Sequence, residues 1–103
     1  MSINLEFDKV IDGDAGGTIA ASDGLSPDLK AVQFAISGRA TGTIAVKVKP
    51  RGSDFFQEFE TPIALDLATD RVARVNYFAI DELEFTPSAA GSDFTVTVVQ
   101  WPN

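Results

Sequence analysis

Apolar and polar residues alternate with a period of two along most of the chain, the signature of strands with one buried face. Ile3, Leu5 and Phe7 open the pattern, and Val32, Phe34 and Ile36 resume it after Pro27. Ile44, Val46 and Val48 repeat it, and Phe56 to Glu60 reads as a short return strand bounded by Pro62. Ile63 to Leu67, Val72 to Tyr77, Asp81 to Phe85 and Phe94 to Trp101 complete eight expected strands. The stretch Asp12 to Gly17 reads as turn. The only places that suit a helical turn are Leu29 to Val32 and Asp66 to Arg74.

With no amphipathic helix to make a crossover, these strands predict an all-β antiparallel β-sandwich, Ig-like or jelly-roll-like. A small barrel is the competing architecture. Val32 to Ile36 and Ile44 to Val48, joined by Ser37-Gly38-Arg39-Ala40-Thr41-Gly42, form the best hairpin candidate, because glycines permit a tight reversal. The expected core is Phe34, Ile36, Ile44, Val46, Val48, Leu65, Leu67, Val75, Leu83, Phe85, Phe94, Val96 and Val98. One tetrapeptide occurs twice, at Gly52 to Phe55 and Gly91 to Phe94. It reads as the same turn chemistry ahead of two strands, a duplicated half-domain being the rarer explanation.

At 103 residues the chain fits one domain, with residues 1–29 either a first strand plus long loop or an N-terminal attachment arm. It has no cysteine and no histidine, which removes disulfides, thiolate or imidazole metal sites and the usual nucleophilic triads. The start Met1 to Glu6 lacks the basic and apolar regions of a secretion signal. A net charge of −7 repels nucleic-acid phosphates. That charge is unevenly spread: residues 1–29 hold six acids and Lys9, residues 30–52 hold five bases and no acid, and residues 53–103 hold nine acids with Arg71 and Arg74.

Four sets of residues are candidates for chemistry or contact. Asp12, Asp14 and Asp23 occupy positions one, three and twelve of a twelve-residue calcium loop, with Gly17 at six. Gly16 at five, Asp23 in place of Glu, and Gly24 with Pro27 where a helix should follow all depart from it, which favours a flexible acidic loop. Asp54, Glu58, Glu60, Asp81, Glu82 and Glu84 could supply a carboxylate pair, although their two-residue spacings suit a solvated strand face. Lys47 and Lys49, with Arg39 and Arg51, make a basic face on the expected hairpin. That face suits an acidic partner or head-to-tail contact with another copy, or simply guards an edge strand. Adjacent Phe55 and Phe56 face opposite ways on a strand, so one is expected at a partner interface or under a loop.

The runs Val32 to Gly38, Thr41 to Val48 and Phe94 to Trp101 together resemble small β-sandwich modules of tailed-bacteriophage virions, such as decoration, head-fibre or tail-associated proteins. The resemblance covers roughly residues 30 to 101. It implies a non-enzymatic structural role on the particle exterior, with other copies and other virion proteins as partners. It implies no cofactor, no nucleic acid and no membrane. A carbohydrate-binding or adhesion module would use the same sandwich, with an exposed aromatic row or a calcium ion at the Asp12 loop. An enzyme-associated β-domain would need converging carboxylates.

Overall fold

The computed structural model describes residues 5–26, 28–29, 31–38, 42–66, 72–76 and 80–102, with backbone alone for 57–66 and 72–76. Its strands are β1 (Leu5–Ile11), β2 (Gly17–Ala20), β3 (Ala31–Ser37), β4 (Thr43–Pro50), β5 (Gln57–Asp66), β6 (Val72–Asn76), β7 (Ile80–Pro87) and β8 (Phe94–Trp101). Every pairing is antiparallel, and the first strand pairs with the last: β1 with β8, β2 with β7, β3 with β6 and β4 with β5. The chain is thus one long ribbon doubled back at the β4–β5 connection. Two further pairings, β3 with β8 and β4 with β7, fold that ribbon over itself. Two four-stranded sheets result, in the orders β1-β8-β3-β6 and β2-β7-β4-β5.

Inward positions of both sheets share one apolar cluster. It contains Phe34, Ile36, Phe94, Val96 and Val98 from the first sheet, and Ile44, Val46, Val48, Leu83 and Phe85 from the second. The Phe34 ring stands edge-on to Phe85 across the sheets, centroids 5.4 Å apart at 87°, the arrangement that ring quadrupoles prefer. Ile11, Ile19, Leu25, Val32 and Ile80 are equally buried, although the expected core did not include them. The expected core side chains of Leu65, Leu67 and Val75 lie outside the described residues.

Three sequence expectations are corrected. The Val32–Ile36 and Ile44–Val48 segments form no hairpin, since β3 and β4 belong to opposite sheets. Period-two alternation marks a buried face but not the strand beside it, and these two rows meet across the core instead of along a ladder. The expected strands at Phe56–Glu60 and Ile63–Leu67 are one edge strand, β5, while a strand read as turn and loop, β2, exists. Pro62 is accommodated because the register passes from Val46↔Ile63 to Lys47↔Glu58, so Phe59 to Pro62 lie outside the β4 register. The helical turn expected at Leu29 to Val32 does not form, since β3 has begun by Ala31; of Asp66 to Arg74, Asp66 and Val72 to Arg74 are strand, and residues 67–71 lie outside the described residues. A 3-10 turn occurs at Ala21–Asp23 instead, where the Asp23 carboxylate accepts the Ala20 amide at 2.9 Å and Gly24 ends it at φ 122°.

The N-terminal third is built into both sheets, β1 at the edge of one and β2 at the edge of the other. The segment after the 3-10 turn is fastened by Gln100, a fully buried side chain on β8. Its carbonyl accepts the Ser26 amide at 2.8 Å, and its amino group donates to the carbonyls of Ser26 at 2.8 Å and Leu29 at 3.3 Å. A side-chain amide here replaces a missing backbone partner, so the buried polar atoms are satisfied.

Replacing Phe34 by Ala should lower unfolding free energy by about 3–5 kcal/mol, seen as a lower urea midpoint with an unchanged slope. A loss under about 1 kcal/mol would show that the two sheets do not meet at this ring. Gln100→Leu should strand the Ser26 and Leu29 groups and cost about 1–3 kcal/mol, with faster hydrogen exchange at the Ser26 amide. An unchanged exchange rate there would contradict the clamp.

Candidate functional site

Among the described residues, the bases of the island do not form a bare basic face. Lys47 and Lys49 project outward from β4, an interior strand of its sheet, so they guard no edge. In register beside Lys47 lie Glu84 on β7 and Glu58 on β5, and beside Lys49 lies Glu82. Lys49 Nζ is 3.4 Å from the Glu82 carboxylate and 4.7 Å from the Phe56 ring centre, a cation over an aromatic face. Arg51 meets Asp28 at 3.1 Å. Arg39 lies outside the described residues. Acids from distant parts of the sequence therefore lie beside Lys47, Lys49 and Arg51, and along β4 and β7 the outer positions form a ladder of mixed charge.

The three calcium-loop candidates are not brought together. Asp12 closes the β1–β2 connection, its carboxylate accepting the amides of Asp14 at 2.7 Å and Ala15 at 2.8 Å. Gly16, at φ 77°, makes this turn: a Cβ there would lie 2.2 Å from the Phe85 carbonyl oxygen. Asp14 accepts the Gly91 amide at 3.0 Å, and Asp93 accepts the Gly13 amide at 2.9 Å, interlocking this turn with the β7–β8 loop. Asp23 lies beyond the far end of β2, bonded to Ala20 and paired with Lys9 at 3.0 Å. Lys9 also donates to the Thr18 carbonyl at 2.7 Å, tying the edge strands β1 and β2 across the two sheets. Among the described residues no cluster of three ligating side chains is suited to a metal ion.

Backbone donation holds both aspartates below the ordinary carboxylate range: at Asp12 the amides of Ala15 and then Asp14, at Asp23 the Ala20 amide and then Lys9. A depressed folded-state value means that the stabilisation is present above the unfolded value, about 3.9, and is lost as pH falls through the folded value.

The carboxylate candidates also have separate tasks. Asp81 accepts the Gly52 amide at 3.1 Å, Glu82 pairs with Lys49, and Glu84 lies in the Lys47 row. Asp54 is exposed on the loop that follows β4, and the side chains of Glu58 and Glu60 lie outside the described residues. No cleft gathers them among the described residues.

The two adjacent phenylalanines lie on that loop, Arg51 to Phe56, and not on a strand, so their difference in exposure does not come from strand alternation. Phe55 is 75% exposed, whereas Phe56 is half-covered beneath Lys49. The loop is well tied: Ser53 donates its amide to the Pro50 carbonyl at 2.9 Å, and its hydroxyl bonds both the amide and the carbonyl of Phe55 at 3.1 Å. The repeated tetrapeptide is not a shared turn. Gly52 has φ 81° and precedes an exposed Phe55, while Gly91 is not among the glycines with positive φ and Phe94 begins β8 fully buried opposite Ile11.

The outer face of the first sheet has a different character. Thr95, Thr97, Val99 and Trp101 of β8 lie between Gln33 and Ala35 of β3 and an exposed row of Glu6, Asp8 and Val10 on β1. Val10 is 63% exposed, and the Asp8 carboxylate accepts the Thr97 hydroxyl at 2.6 Å. Sequence reasoning passed over Val10; the signal lay in Phe7, Lys9 and Ile11 sharing the opposite parity.

No family model matches the chain, and no curated protein matches it. Among solved structures it is similar to a chain of the Bacillus endospore appendages, described as a novel family of disulfide-linked pili. The TM-score is 0.51 at 13% identity, over 100% of this chain and 88% of the other. That likeness concerns the fold. The linkage has no counterpart here, since this chain contains no cysteine.

A thermal-unfolding series should show the midpoint falling as pH drops below about 4, with a shallower fall for Asp23→Asn. A midpoint as high at pH 2 as at pH 6 would contradict the arrangement around Asp12 and Asp23.

Proposed function

We propose that this chain is a non-enzymatic structural subunit, an eight-stranded jelly roll that works through protein–protein contacts in a repeated assembly. The observation that carries this reading is the pairing of first strand with last through all four pairs, with the sheet orders β1-β8-β3-β6 and β2-β7-β4-β5. That order follows from one ribbon wrapped over a core, the jelly-roll pattern of two Greek keys found in capsid and lectin domains. An Ig-like arrangement distributes its strands otherwise. Likeness to a pilus chain supports the same class of role at the level of fold, where analogy and not chemistry is the warrant.

The setting we favour is the exterior of a bacteriophage particle, in keeping with the strand rhythm of residues 30 to 101. Partners would be copies of this chain and other virion proteins, joined without covalent links. Glu82, Glu84 and Asp81 would serve pairing and loop closure in such a subunit, as their contacts here support.

Particles purified on a density gradient from cells producing the chain should carry it in many copies, quantified by mass spectrometry against the major shell protein. Recovery only with soluble protein at the top of the gradient would overturn the reading.

A further inference from the structure

The chain contains two Asp–Gly bonds, Asp12–Gly13 and Asp23–Gly24. This dipeptide is chemically labile, because glycine has no side chain to shield its nitrogen from the carboxyl group of the preceding aspartate. In the reaction the glycine nitrogen bonds to the aspartate Cγ, the carboxyl OH leaves with the amide proton as water, and a five-membered succinimide ring forms. Water then opens the ring at either carbonyl. One opening restores aspartate, and the other leaves isoaspartate, whose main chain is longer by one methylene.

The fold requires glycine in both places. A Cβ on Gly13 would overlap the carbonyl groups of Gly91 and Ser92, and Gly24 has φ 122°, a conformation that side chains resist. Both aspartates are also tied to their turns, Asp12 through the amides of Asp14 and Ala15 and Asp23 through that of Ala20. What differs between the two bonds is the partner that holds each glycine amide.

Gly24 donates to the Ala21 carbonyl at 3.1 Å, a contact inside the 3-10 turn itself. Gly13 donates to the Asp93 carboxylate at 2.9 Å, eighty positions along the chain. Asp93 stands just before β8 on the β7–β8 loop, whose Gly91 amide is accepted in turn by Asp14 at 3.0 Å. One loop thus engages the proton of the Gly13 nitrogen and packs its carbonyls against the Gly13 backbone. Attack on Asp12 needs that proton lost and that peptide turned toward Cγ, and both require the loop to move off. The amides that keep Asp12 ionised also deplete the protonated carboxyl from which water leaves.

We propose that Asp12–Gly13 is a latent self-modification site, kept from succinimide formation by the Asp93 contact, so that Asp12 isomerises only when the β7–β8 loop undocks. The inference is independent of the structural-subunit reading. Its consequence is a one-way step. A lengthened main chain at Asp12 no longer fits Gly13 against Gly91 and Ser92, so the reaction converts a reversible local opening into a permanent one.

Peptide mapping of the aged protein tests it, with the isomeric peptides separated by liquid chromatography and assigned by electron-transfer fragmentation. The native chain and its Asp93→Ala and Asp93→Asn variants are held at mildly acidic pH below their unfolding temperatures, beside wild type unfolded in guanidinium. Asp12 should isomerise much more slowly in the native chain than in the unfolded one. Asp93→Ala should speed it about tenfold or more, the gain in local opening expected from losing one hydrogen bond to a charged group, while Asp23–Gly24 in the same sample keeps its native rate. Asp93→Asn, which retains an acceptor oxygen, should return most of the protection. Equal rates at Asp12 in native and unfolded wild type, no acceleration in Asp93→Ala, or an Asp93→Asn rate equal to that of Asp93→Ala overturns the proposal. Equal acceleration of both bonds overturns it too, by assigning the protection to the fold as a whole.

Discussion

Burial of apolar rows on the four interior strands governs the rest of this molecule. β3 and β8 in one sheet and β4 and β7 in the other carry Val32, Phe34 and Ile36, then Phe94, Val96 and Val98, then Ile44, Val46 and Val48, then Leu83 and Phe85. Side chains on a strand alternate between faces, so sliding any of these strands by one residue would place its whole row in water. Fully burying each such side chain contributes about 1.5–3 kcal/mol, far more than any surface pair here. The edge strands, the turns and both outer faces take their positions from that register.

The electrostatics follow from it directly. Once Val46 and Val48 point inward, Lys47 and Lys49 must point outward, and strand pairing sets Glu84 and Glu82 beside them. A chain that reads as blocks of opposite charge becomes, on this face, a fabric of close opposite pairs. Exposed pairs of this kind add little stability, but they remove the long-range field that a basic patch would project. Lys9 shows the complementary case. Facing inward from an edge strand, it is answered by Thr18 and Asp23, and it holds the two sheets together where neither has a further strand.

Among the described residues, two large apolar side chains, Val10 and Phe55, remain well exposed. Phe55 stands on a loop held by short-range hydrogen bonds, and Val10 lies in the same exposed row of β1 as Glu6 and Asp8. With no cysteine, the chain can form no disulfide link of its own.

By itself, the sequence determined the all-β class and ten of the thirteen expected core positions, from Phe34 to Val98, because period-two alternation records burial residue by residue. Tertiary structure alone decided which strands are neighbours: alternation is local, whereas the pairing of β1 with β8 joins residues that start some ninety positions apart. For that reason β3 and β4 could pass for a hairpin, β2 could pass for a loop, and the lysines of β4 could pass for a basic patch. The two tetrapeptides make the point most compactly. Their residues are the same, yet Phe94 is buried because its strand pairs at the core with β1 and β3, while Phe55 stands in water because its loop ends before β5 begins.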